Sequence, residues 1–227
     1  MIIITGASRG IGQFLFEKFR NIDAAIYGTY NSTTPSSSDK EFFTKVDISN
    51  YAEVSKWIDK IRINNSRLIL INCAGKNYDS FAHKADMGKW SSVINLNLIG
   101  TFNVINKVLP IMREEGYGRI INFSSVVAQT FVPGTSAYAA SKAALWGLSR
   151  SIAIENSQKG ITINNLNLGY HNIGMIENVP QEYQEIIKRK IPTGEFGSPE
   201  NIFNAVKFLI ETDYINGTSI DINGGLF

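Results

Sequence analysis

At 227 residues and 25.2 kDa, with 44% hydrophobic and 19% charged residues, the chain has apolar material for a sizeable core and is not of disordered composition. Its 22 Lys and Arg against 20 Asp and Glu leave a net charge of +2, too small an excess for a surface built to hold nucleic acid or acidic lipid. One cysteine, Cys73, excludes an internal disulfide, and two histidines, His83 and His171, argue against a metal centre.

No stretch approaches the ~18 uninterrupted apolar residues of a membrane span. The opening MIIITGASRGIG has an apolar run too short for a secretory core. A cytoplasmic protein is the expectation.

Along the chain, short β-branched runs alternate with longer amphipathic ones, which predicts parallel strands joined by helical crossovers. Strands are expected at Ile2–Thr5, Ala25–Tyr30, Phe42–Val46, Leu68–Cys73, Arg119–Ser124, Ile161–Leu168 and Ser219–Ile222. Helices are expected at Ile11–Asn21, Ala52–Asn64, Lys89–Glu115, Ala137–Ser157, Pro180–Lys190 and Pro199–Glu211. LILINCA and GRIINFSS are apolar on both sides of the alternation, as strands covered on both faces would be. The fold class is therefore α/β, a Rossmann-type doubly wound sheet of about seven parallel strands, in a single domain spanning residues 1–227. One crossover is short: residues 31–41, NSTTPSSSDKE, have no apolar face. They predict a loop with at most a single turn, leaving the sheet uncovered beside the second strand.

The first strand runs directly into Thr5-Gly6-Ala7-Ser8-Arg9-Gly10-Ile11-Gly12, which opens the first helix. Glycines at 6, 10 and 12 permit a sharp turn and close backbone approach to a pyrophosphate, and the helix N-terminus supplies free N–H groups. The expected ribose-binding acid is absent at the end of the second strand, Gly28-Thr29-Tyr30-Asn31-Ser32. Arg9 can instead face a 2′-phosphate, with Asn31 and Ser32 donating hydrogen bonds. NADP(H) is thus preferred over NAD(H).

Tyr138 and Lys142, four residues apart at the start of a helix, share a face. A nearby ammonium is expected to lower the tyrosine pKa and make Tyr138 a proton donor and acceptor. Ser125 follows the preceding strand at the end where such sheets hold ligands.

Together these motifs resemble the short-chain dehydrogenase/reductase family, nearly end to end. TGASRGIG matches its cofactor turn, Val46-Asp47 its adenine-contacting acid with Ile48 beside it, and Asn72-Cys73-Ala74-Gly75 its Asn-Asn-Ala-Gly. Asn97-Leu-Ile-Gly100, Ser125 and Tyr138-x-x-x-Lys142 match the catalytic positions. The resemblance implies that Tyr138 protonates the carbonyl oxygen as nicotinamide delivers hydride, that Ser125 steadies that oxygen, and that Lys142 tunes Tyr138 and binds the ribose. It implies that Asn97 holds a relay water, and that Asn72, Ala74, Gly75, Gly169 and His171 line the cofactor site beside Gly6, Ser8, Arg9, Gly10, Ile11 and Gly12. No metal is implied.

The family's Asn-x-x-x-Pro-Gly stretch is altered here. Leu168 replaces proline, His171 the aliphatic residue and Ile173 the threonine, with Asn172 a candidate substitute. His171 is expected to pack while its backbone does the work, and Cys73 to be a small buried residue. A substrate loop of about 170–196 reads as an amphipathic lid facing a wall at Gln129–Ser136. The pattern looks most like 3-oxoacyl-carrier-protein reductases, which points to a small-molecule ketone substrate. A reductase proper of fatty-acid synthesis is one alternative, a non-catalytic NADP-binding regulator another. The family further implies a homo-oligomer, tetramer or dimer, packed through Lys89–Glu115, Ala137–Ser157 and the last strand.

Overall fold

The computed structural model describes residues 1–22, 25–61, 67–130 and 132–226. The strands are β1 (Ile2–Thr5), β2 (Ile26–Tyr30), β3 (Phe43–Lys45), β4 (Ile69–Asn72), β5 (Gly118–Ser125), β6 (Ile161–Leu168) and β7 (Ser219–Ile222). All pair in parallel in the order β3-β2-β1-β4-β5-β6-β7. The winding direction reverses between β1 and β4, where Thr5 is paired with Asn72. The C-terminal ends of those two strands therefore flank the crevice in which doubly wound sheets hold ligands.

Helices α1 (Gly10–Arg20), α2 (Tyr51–Lys60), α3 (Met87–Ile94), α4 (Thr101–Glu115), α5 (Ser136–Asn156), α6 (Gln181–Lys188) and α7 (Pro199–Glu211) complete the fold. On one face Trp57 and Ile58 of α2, Val104, Val108 and Met112 of α4 and Ile152 of α5 pack on Ile3, Leu70 and Ile120 of the sheet. On the other, Leu15 and Phe16 of α1 and Ile202 and Val206 of α7 pack on Ile4, Ile71 and Leu166. Every residue of β5 and β6 is buried, as strands covered on both faces must be.

Burial on both faces does not make these strands wholly apolar. Asn72 of β4, Asn122 of β5, Asn165 of β6 and Ser219 of β7 stand side by side in register. Asn72 Nδ2 donates to Asn122 Oδ1 at 2.8 Å, Asn122 Nδ2 to Asn165 Oδ1 at 3.4 Å and Asn165 Nδ2 to Ser219 Oγ at 3.1 Å. Ser149 of α5 accepts from Asn122 at 3.1 Å and donates to Asn165 at 2.8 Å. Most of these carboxamide groups satisfy one another, which permits polar groups in this layer, while Asn72 Oδ1 has no hydrogen-bond partner among the described residues.

Four expectations need correction. The crossover over residues 31–41 is not bare: Ser37–Phe42 form a 3₁₀ helix. It ends on two aromatics that cover Phe16, Phe42 at 6.1 Å and Phe43 at 4.5 Å between ring centroids. The strand expected at Phe42–Val46 shrinks to Phe43–Lys45 because Phe42 closes that helix. The helix expected at Lys89–Glu115 starts at Met87, capped by Asp86, and is interrupted by a π-helical stretch at Asn95–Gly100. The helix expected at Ala52–Asn64 stops at Lys60, with Ile61 extended; residues 62–64 lie outside the described residues. Among the described residues no helix is long and apolar enough to cross a membrane, and no group of three potential metal ligands occurs.

Candidate active site

The glycine turn between β1 and α1 is shaped by contacts no side chain could share. Gly6 and Gly10 have φ of 65° and 53°, a region costly for residues with a Cβ. A Cβ on Gly6 would lie 2.7 Å from Cα of Ala74, and one on Gly12 would lie 2.3 Å from the Gly6 carbonyl oxygen. Two threonines that sequence reading passed over hold the turn. Thr29 Oγ1 accepts from the Gly6 N–H at 3.1 Å, and Thr5 Oγ1 from the Ala74 N–H at 3.2 Å.

Helix α1 then begins without a capping side chain. Arg9 occupies the cap position but makes no cap hydrogen bond, and no acid lies in the first turn. Asn50, Asp86 and Ser198 cap α2, α3 and α7. Uncapped N–H groups over a tight glycine turn suit an anionic oxygen, so the residues present fit the pyrophosphate of a dinucleotide. Ser8 and Ile11 are half-buried in this turn, while Arg9, Asn31 and Ser32 are exposed at the ends of β1 and β2. Asp47 Oδ1 accepts from the backbone N–H and hydroxyl of Ser49 at 3.0 and 2.7 Å. Ile48 is buried beneath Gly100, and Asn103 donates to the carbonyls of Ile48 and Ser49 at 3.0 and 3.3 Å.

Next along the crevice, β5, α5 and the π stretch bring Ser125, Tyr138, Lys142 and Asn97 together. Ser125 ends β5 and hydrogen-bonds Tyr138, the first-turn residue of α5. Lys142 follows one turn later, buried, its Nζ donating to the Phe123 carbonyl at 2.7 Å. Asn97 is wholly buried at the π turn, a helical irregularity that recurs at functional sites. Its Oδ1 accepts from the Lys76 N–H at 2.9 Å. Its Nδ2 donates to the Lys76 carbonyl at 2.9 Å and to Ser141 Oγ at 3.0 Å. Ser141 in turn donates to the Tyr138 carbonyl at 2.8 Å, so Asn97 ties the β4 loop to the helix bearing Tyr138. Gly75 lies beneath both groups: a Cβ there would stand 3.4 Å from Asn97 Oδ1 and 3.5 Å from Lys142 Nζ.

The electrostatics differ from the expectation. Burial pushes the Tyr138 phenol up, against the hydrogen bond from Ser125, with Tyr170 nearby adding to the rise. Lys142 Nζ lies 5.7 Å from the Tyr138 ring centroid and is turned to Phe123. Burial lowers Lys142 itself to about 8, opposed by Cys73. The Cys73 thiol is pushed up by burial, against the pull of Lys142, which makes it a poor nucleophile at neutral pH.

The Asn72 side chain turns into the sheet toward Asn122 rather than into the crevice. Gly169 packs where a Cβ would lie 2.7 Å from Asn223 Cα. His171 is buried, its Nδ1 is 3.2 Å from the Gly169 carbonyl, and its ring lies against Gly197, with which it forms a parallel bridge. Burial pushes its imidazole down, so it packs neutral. Leu168 is buried and Ile173 packs against the same core, while Asn172 is exposed. Beyond them Gly174–Asn178 form a 3₁₀ helix before α6. Ile176, Ile191 and Phe196 gather Tyr170, Val179, Ile187 and Leu226 into a small core separate from the sheet. Gly174 reaches back over the phosphate turn, its Cα 3.2 Å from where a Cβ on Gly10 would stand.

Known proteins are similar to this chain in sequence. The family of short chain dehydrogenases matches residues 1–184. An acetoacetyl-CoA reductase of Shinella zoogloeoides is 33% identical over 234 aligned positions, covering 99% of this chain and 97% of its own. The 3-oxoacyl-[acyl-carrier-protein] reductase of Escherichia coli (strain K12) is 31% identical over 99% of this chain and 96% of its own. A nodulation protein G of Azospirillum brasilense is 34% identical over 82% of this chain and 77% of its own. A glycine turn at the switch point, a Ser–Tyr–Lys group beside a buried asparagine, and likeness along almost the whole chain lead to one assignment. The protein belongs to the short-chain dehydrogenase/reductase family and is an oxidoreductase of the kind that uses a nicotinamide dinucleotide.

Proposed function

We propose that the protein is an NADPH-dependent reductase that converts the ketone of a 3-oxoacyl thioester into a secondary alcohol. The observation that carries the reading is the convergence of Ser125, Tyr138, Lys142 and Asn97 on one end of the sheet. Acetoacetyl-CoA and 3-oxoacyl-carrier-protein, named for the two reductases above, share the 3-oxoacyl thioester. Bound NADPH supplies the hydride that adds to the carbonyl carbon. Tyr138 gives its phenolic proton to the carbonyl oxygen, and Ser125 hydrogen-bonds that oxygen as charge builds on it. The buried ammonium of Lys142 stabilises the phenolate left behind, and Asn97 keeps the helix of Tyr138 in place through Ser141. Arg9, Asn31 and Ser32 face the 2′-phosphate; Asp47 and Ile48 flank the adenine; Gly6, Ser8, Gly10, Ile11 and Gly12 hold the pyrophosphate; backbone at Asn72, Ala74, Gly75, Gly169 and His171 lines the nicotinamide half.

The reading extends to a single catalytic domain working in the cytoplasm as a homo-oligomer. Ile99 and Phe102 beside α4 are 44% and 42% exposed and Ile154 of α5 is 83% exposed, apolar surface suited to a second copy. The test is to titrate the protein with NADPH and NADH, following nicotinamide fluorescence, and then to assay acetoacetyl thioesters. NADPH should bind more tightly, turnover should follow, and Tyr138→Phe should abolish turnover while keeping NADPH affinity. Preference for NADH would overturn the cofactor assignment, and full activity in Tyr138→Phe would overturn the mechanism.

A further inference from the structure

A chain of hydrogen bonds runs from the wall of the crevice, through the last two strands, to the catalytic helix. Gln129 Nε2 donates to Asp221 Oδ1 at 3.0 Å, and Asn167 Nδ2 donates to the same oxygen at 2.7 Å. Asn167 Oδ1 accepts from Trp146 Nε1 at 3.0 Å, and that indole N–H lies 3.2 Å from Ser124 Oγ. Ser124 donates onward to the carbonyl oxygen of Lys142 at 3.0 Å.

The donor and acceptor chemistry leaves these groups little choice. A carboxylate only accepts and an indole N–H only donates, so the Asn167 amide is oriented from both ends. The same carboxylate turns the Gln129 amide N–H toward itself. Gln129 Oε1 then faces away from Asp221 and has no hydrogen-bond partner among the described residues.

Both ends of the chain bear on the reacting groups. Gln129 stands four residues beyond Ser125, and the Lys142 carbonyl lies one turn beyond Tyr138. Among the described wall residues, the other bonds do not reach the sheet. Thr130 and Thr135 hydroxyls donate locally to the Val126 and Val132 carbonyls, and the Gly134 carbonyl accepts from the Ser80 N–H. Among the described wall residues, Gln129 supplies the link from wall to sheet.

We propose that Gln129 and Asp221 are positioning residues for the reduction. Through Asn167, Trp146 and Ser124 they hold the wall behind Ser125 in register with the helix that carries Tyr138 and Lys142. The proposal rests on the reductase reading above. Neither residue touches the reacting atoms, so their loss should lower kcat and leave NADPH affinity unchanged.

The test exchanges donor and acceptor. Asp221→Leu should lower kcat about tenfold, as expected for a sub-ångström misplacement of catalytic groups. Asp221→Asn retains an oxygen that can accept both amides, so kcat should stay near wild type. Gln129→Glu sets two carboxylates against each other and should match Asp221→Leu. A second readout needs no turnover: the ¹⁵N indole signal of Trp146, one of three tryptophans, assigned through Trp146→Phe. It should shift in Asp221→Leu and Gln129→Glu and stay in place in Asp221→Asn. A signal unmoved in Asp221→Leu, or an Asp221→Asn that loses kcat as Asp221→Leu does, overturns the proposal. A wild-type protein that reduces no 3-oxoacyl thioester, while the signal moves in Asp221→Leu and not in Asp221→Asn, instead sinks the reductase reading and leaves the hydrogen-bonded link standing.

Discussion

The ammonium of Lys142 is bonded to the backbone of Phe123 at 2.7 Å, with the ring of Tyr138 5.7 Å away at its centroid. The charge is thus anchored by the strand that carries Ser125, and burial brings its pKa to about 8. Unfolded, this lysine titrates near its ordinary 10.5. Between about 8 and 10.5 the unfolded chain therefore holds the extra proton, and stability rises with pH across that window. Below it both states are charged and the folded protein bears the full cost of burial, about 3 kcal/mol.

Lys142→Met removes this dependence. Its unfolding free energy minus that of the wild type should fall by about 3 kcal/mol between pH 7 and pH 11, read from urea unfolding without cofactor. A difference independent of pH would show that Lys142 is not held in a desolvated site.

Ser125 lowers the Tyr138 phenol against the rise that burial imposes, and under the proposed mechanism it also holds the substrate oxygen. Ser125→Ala should reduce kcat by about 10²–10³, the usual loss for one donor to a developing oxyanion. It should also move the ascending limb of the alcohol-oxidation profile to higher pH, since oxidation needs the phenolate and the substitution removes the bond that favours it. A rate profile displaced toward lower pH would contradict this.

The asparagine row makes a different kind of prediction. Asn165→Leu leaves the Ser149 hydroxyl and the Asn122 amide without their shared acceptor inside the sheet. The loss should be about 3 kcal/mol, the sum of unpaired buried groups, read as a lower urea midpoint with an unchanged slope. A change below about 0.5 kcal/mol, typical of surface positions, would mean that this row is not buried as described.

The parallel sheet, the glycine turn and the grouping of Ser125, Tyr138 and Lys142 were legible because each rests on local pattern. Alternating apolar runs announce parallel strands, and fixed spacings place Ser125, Tyr138 and Lys142 at one edge. What depended on packing was not legible. Nothing in NSTTPSSSDKE announces that Phe42 and Phe43 will cover Phe16. The π turn at Asn97 interrupts a helical periodicity that looks continuous. The direction of the Tyr138 shift is set first by burial, which spacing along a helix does not reveal. A signal for the asparagine network was present, however: Asn164, Asn165 and Asn167 in one strand of a buried sheet need partners, and the nearest candidates were Asn72 and Asn122.

The abbreviated crossover also bears on how occupancy is felt by the rest of the molecule. Strand β3 has three residues, joins the sheet along β2 alone, and leaves Thr44 and Lys45 exposed. Opening such an edge uncovers little apolar area, so its amides should exchange with solvent at a free energy well below that of global unfolding. Under the reading proposed here, a dinucleotide settles on the ends of β1 and β2 directly beside it. Protection of the β3 amides would then rise with ligand concentration while the centre of the sheet stayed unchanged, making the shortest strand the part of the fold most responsive to the cofactor.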